Sequence, residues 1–76
     1  MGTQAKTAVA TFETAKASGR GEWGALGEAL NSVTVVNRSA RSVRPTIIVY
    51  GLSDGTTLWR YANEAILHTE AAAKAA

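Results

Sequence analysis

Two β-prone runs separated by an Asp-Gly pair constrain this chain more than any other feature. Thr46-Ile47-Ile48-Val49-Tyr50 is β-branched or aromatic at every position, and Thr57-Leu58-Trp59-Arg60-Tyr61 follows it across Ser53-Asp54-Gly55-Thr56. Such side chains pack well on a pleated surface, and Asp-Gly suits the positive φ angles of a two-residue type I′ turn. The pattern predicts a hairpin over 46–61 with Asp54 and Gly55 as its turn, so that Tyr50 faces Trp59 and Ile48 faces Tyr61. Alternation then gives one face to Ile48, Tyr50, Leu52, Trp59 and Tyr61, and the other to Ile47, Val49, Leu58 and the stem of Arg60. Both faces are apolar. A small sheet of that kind needs helices on one side and a further surface on the other, which points to a dimer or a partner.

Helical spacing dominates what precedes the hairpin. Ala5, Ala8, Val9, Phe12 and Ala15 recur at intervals of three and four, and Ser18-Gly19-Arg20-Gly21 then ends the helix. Trp23, Leu26, Ala29 and Leu30 repeat the spacing in a second, shorter helix despite Gly24 and Gly27. Val33-Thr34-Val35-Val36 reads as a first strand. Asn37 to Val43 is polar and basic and Pro45 disfavours a helical Arg44, so this stretch is expected to be a connection or a frayed edge. Beyond the hairpin, Asn63 can cap a final helix carrying Ala62, Ile66, Thr69 and Ala73 on one stripe. The order predicted is α+β: two N-terminal helices, a small antiparallel sheet of about three strands, and a C-terminal helix. The helix–Ser-Gly-Arg-Gly-Glu-Trp–helix–strand order over Phe12 to Val36 is similar to the opening of cone-shaped NTF2-like domains, which are longer, and it carries no specific motif.

Seventy-six residues make one domain, 1–76, with 1–4 and 71–76 expected to fray. The tail Glu70-Ala71-Ala72-Ala73-Lys74 matches a helix-forming spacer unit. Apolar residues are 46% of the chain, but fifteen of them are alanine, which leaves a thin core. There is no cysteine to reinforce it. Self-association or partner binding is the expected supplement.

Several chemistries lack their residues. One His, one Asp and no Cys cannot furnish a dedicated metal site, and no cofactor motif is present. His68 is the sole imidazole base, and nothing in the spacing pairs it or Glu64 with a nucleophile, so no enzymatic activity is expected. No stretch approaches a membrane span and the N-terminus lacks an apolar signal core, so with no cysteine a cytoplasmic setting is expected.

Two binding readings remain. Tyr50, Trp59, Arg60 and Tyr61 are the residue types that dominate protein interfaces, which favours a small protein-binding module or inhibitor, of the accessory or phage type, acting as a homodimer. The net charge is +2, yet Arg38, Arg41 and Arg44 stand at every third position with no acid among them. Among serines able to donate to phosphate, they suggest the alternative: a regulator gripping a nucleic-acid backbone with segment 38–44.

Overall fold

The computed structural model describes residues 2–41 and 46–75, the side chains through residue 73. Two helices, α1 (Gln4–Ala17) and α2 (Glu22–Asn31), precede β1 (Val35–Arg41), β2 (Ile47–Leu52), β3 (Thr57–Tyr61) and β4 (His68–Thr69), and α3 (Glu70–Ala75) ends the order. The strands form one antiparallel meander in the order β1-β2-β3-β4. The α+β class is as expected, with four strands in place of about three.

Helix α1 buries Ala5, Ala8, Phe12 and Ala15, the stripe its spacing predicts. Ser18 and Gly19 close it: Gly19 takes φ +99, its N–H donates to the Lys16 carbonyl at 3.1 Å, and the Arg20 N–H reaches the Ala15 carbonyl at 3.2 Å. This pair of bonds is the glycine-terminated helix end that sequences of this type favour. Helix α2 buries Ala25, Leu26 and Ala29. Trp23, expected on that buried stripe, is instead 59% exposed. The helices pack on the sheet face that carries Ile48, Tyr50, Leu52 and Leu58, with Ala65 and Leu67 completing the core.

The hairpin register differs from the sequence reading by one residue. Ile48 pairs with Arg60, Val49 with Trp59 and Tyr50 with Leu58. The loop is Ser53-Asp54-Gly55, closed by a 2.9 Å bond from the Leu52 N–H to the Thr56 carbonyl, and Gly55 alone takes a positive φ, +88. The Asp54 carboxylate accepts from the Thr56 N–H at 3.1 Å and the Thr56 hydroxyl at 2.6 Å, which holds the three-residue turn against the two-residue one. Because strand side chains alternate, the shift turns every β3 side chain over. Leu58 and Arg60 face the helices; Trp59 and Tyr61 share the opposite, open face with Ile47 and Val49.

Two further elements depart from expectation. The first strand runs over 35–41, reaching through most of the segment expected as a connection or a frayed edge, with a register shift between Val35 and Asn37. The expected break at Arg44-Pro45 lies outside the described residues. The C-terminal helix starts at Glu70, not at Asn63, and the chain between turns at 62–63 and then extends. The physical reason is Arg60: its Nη1 donates to the carbonyls of Ala62 at 3.2 Å and Glu64 at 2.8 Å, tying up backbone acceptors that a helix would need. Ala65 and Leu67 are then buried at alternate positions and feed β4, which puts His68 on a strand.

Candidate functional site

The four aromatic and basic residues singled out for a partner separate onto two sides of the sheet. Tyr50 and Arg60 lie under the helices, 4% and 8% exposed. Arg60 Nε donates to the Tyr50 hydroxyl at 3.0 Å, and Nη1 donates to three carbonyls, those of Tyr61, Ala62 and Glu64. The guanidinium also lies 5.5 Å from the Trp23 ring centroid, so the exposed indole of α2 forms its outer cover. Here a buried cation is satisfied by neutral oxygens and π faces, and it braces the turn that follows β3.

Trp59 and Tyr61 occupy the open face. Trp59 is 8% exposed because other parts of the chain cover it: the Arg41 guanidinium sits 4.9 Å from its ring centroid, and α3 approaches from the β4 side. Ala72 and Ala73 of α3 line a small cavity of about 110 Å³ together with Ile47, Trp59, Tyr61 and His68. Tyr61 is 36% exposed and meets His68 edge-on at a centroid distance of 6.5 Å. The second apolar face noted in the sequence is therefore covered in part from within the chain.

The basic segment does not form a single patch in β1. Arg38 is paired with Tyr50 and Arg41 with Ile47, three positions apart on an alternating strand, so the two guanidinium groups leave from opposite faces of the sheet. Arg44 lies outside the described residues.

The feature that sequence reasoning missed is the backbone of β1. All seven of its residues are exposed and it forms one edge of the sheet. Which of its amides are free follows from the neighbouring ladder. Leu52 and Ala62 donate to the carbonyls of Thr56 and Thr46, so residues 46, 48, 50 and 52 aim their main-chain groups at β3. Residues 47, 49 and 51 then aim theirs at β1, where their partners are Arg41, Ser39 and Asn37. The N–H and C=O groups of Arg38 and Ala40, between those partners, point outward to solvent. The opposite edge is β4, only two residues long and continuing directly into α3. No β-propensity signal marks Asn37-Arg38-Ser39-Ala40-Arg41; the strong β2 recruits it as a partner, which only the tertiary structure reveals.

No helix among the described residues is long and apolar enough to cross a membrane. The described residues bring no three His, Cys, Asp or Glu side chains together to hold a metal ion. The chain matches no family of known proteins, no curated protein and no solved structure.

Proposed function

We propose that this chain is a small non-enzymatic accessory module or inhibitor that binds another protein chain by adding a strand to the outer edge of β1, in the cytoplasm, where a cysteine-free domain is at home. The observation that carries the reading is the exposed seven-residue edge with the main-chain groups of Arg38 and Ala40 turned outward. Sheets usually blunt such edges, because unpaired strands template pairing with other chains, and the two-residue β4 shows what a blunted edge looks like here. Strand addition takes its affinity from main-chain bonds and so needs no catalytic or metal chemistry. The exposed Arg38, next to the outward main-chain groups, supplies side-chain selectivity toward the added strand.

The test compares proteins captured by the native chain and by Ala40→Pro. Proline at Ala40 deletes one outward N–H and leaves the bonds to β2 in place, a position where edge strands tolerate it. Capture should be lost with Ala40→Pro, and in the native complex amide exchange should slow at Arg38 and Ala40. Equal capture by both chains sinks the reading. A phosphate grip by Arg38, Arg41 and Arg44 draws less support, since the first two diverge; a low-salt mobility shift lost on replacing all three with Ala would restore it.

A further inference from the structure

We infer that the strand added to β1 is the β1 of a second copy of this chain, antiparallel, with Ser39 opposite its own symmetry mate. The inference rests on β1 being the acceptor edge, as proposed above, and follows from which registers a self-pairing strand allows.

A twofold axis makes the contact self-complementary, so if residue i faces residue j, then j faces i. Outward-directed main-chain groups must also meet outward-directed groups. On the stretch 37–41, beyond the shift between Val35 and Asn37, those groups belong to Arg38 and Ala40. Three registers satisfy both conditions. Arg38 opposite Arg38 sets two like charges face to face, an unfavourable cross-strand pair. Ala40 opposite Ala40 carries Arg38 past the end of the described strand and leaves only 39–41 paired. Arg38 opposite Ala40 uses the whole of 37–41.

In that register two hydrogen-bonded pairs form, Arg38 with Ala40 of the second copy and the reverse, giving four main-chain bonds. Ser39 faces Ser39 between them. Each Arg38 lies across from a methyl group, which leaves its guanidinium free to stay in water. On the open face the side chain of Arg41 leans inward over Trp59 and leaves room for the added strand. Asn37 lies flat over Gly51, where a Cβ would come within 2.5 Å of its Oδ1, so the polar group is held close to the sheet surface. The product is one continuous eight-stranded sheet with α1 and α2 of both copies on one side. The charge pattern also predicts the response to salt: the two Arg38 side chains stand near the axis, so added salt should strengthen this contact, the reverse of a phosphate grip.

Because the chain has no cysteine, Ser39→Cys introduces a unique thiol. Directly opposed residues that are not hydrogen-bonded place their Cα atoms about 4.5 Å apart, within disulfide reach. Under mild oxidation Ser39→Cys should give a covalent dimer, whereas Asn37→Cys and Arg41→Cys, each about 13 Å from its mate, should not. Sedimentation of the native chain at high micromolar concentration should show a doubled mass that Ala40→Pro loses. The inference is overturned if Ser39→Cys cross-links no better than the two controls, or if Ala40→Pro keeps the doubled mass. A native monomer that still captures another protein in a manner sensitive to Ala40→Pro overturns the self-pairing alone; a monomer without such capture overturns the acceptor edge as well.

Discussion

The Gln4 N–H at the start of α1 donates to the Asp54 carboxylate in the β2–β3 loop at 2.8 Å, joining residues fifty positions apart. Thr3, at the N-cap, makes no side-chain cap, so the loop supplies the acceptor that the helix end requires. The Gln4 side chain extends the tie: its Oε1 accepts from the Thr34 N–H at 2.8 Å and its Nε2 donates to Ser53 Oγ at 2.7 Å. One residue thus fastens the first helix, the entry to β1 and the hairpin loop. A Cβ on neighbouring Gly2 would overlap the Asp54 carboxylate, so Gly2→Ala is expected to loosen the same tie and lower the melting temperature.

Acid should expose this tie. The Thr56 hydroxyl, and then the Gln4 N–H, hold the Asp54 carboxyl down from 3.8 to about 2. The native fold favours the ionised form, so its contribution is complete above pH 3.8 and disappears as pH falls through about 2. Thermal melts should show the native chain losing stability over that window more steeply than Asp54→Asn, which should melt lower at neutral pH. Parallel acid limbs would refute the assignment.

Removing Arg60 should cost more than removing what it touches. Tyr50→Phe deletes one charge-assisted bond and is expected to destabilise by about 1.5 kcal/mol. Arg60→Ala uncovers the Tyr50 hydroxyl and three carbonyls together and is expected to cost about 3 kcal/mol. Urea unfolding of both variants measures the difference, and a smaller effect for Arg60→Ala than for Tyr50→Phe would contradict the bracing role.

Two glycines should respond with opposite signs. Gly55 stands at φ +88, so Gly55→Ala forces a side chain into the left-handed region at a cost of about 1 kcal/mol. Gly27 is exposed inside α2 with nothing within 4 Å of where a Cβ would stand, so Gly27→Ala should gain about 1 kcal/mol from helix propensity. Urea midpoints moving in the same direction would rule out one of the two assignments.

Neighbouring prolines in β1 should separate fold from recognition. Ala40→Pro removes an outward N–H and should change stability by less than about 1 kcal/mol, whereas Ser39→Pro removes one aimed at Val49 and should cost distinctly more. Equal losses on chemical denaturation would show that the ladder polarity is misassigned.

The sequence made the helices plain, because Ala5, Ala8, Phe12 and Ala15 hold one period and Ser18-Gly19 punctuates it. It also located β2 and β3, but it could not set their register, which turns on whether Asp54 joins a two- or a three-residue loop. That choice is made by contacts to Thr56 and to distant Gln4, and it decides whether Trp59 or Leu58 enters the core. The stretch after Asn63 misled for a similar reason: its composition suits a helix, yet Arg60 claims the carbonyls of Ala62 and Glu64. Of the candidate site, the aromatic residues were visible and their separation by the sheet was not. The β1 edge was hidden because what it exposes is main chain, and residues 37–41 owe their strand geometry to β2 alone.

The two-residue length of β4 has its own consequence for assembly. A sheet with long free margins on both sides could be extended copy after copy into a fibre. Here the long margin is used up when two chains meet, and each outer boundary of the doubled sheet is a β4 that turns at once into α3. Pairing through β1, as inferred above, would therefore close on itself and end in a finite particle rather than a filament.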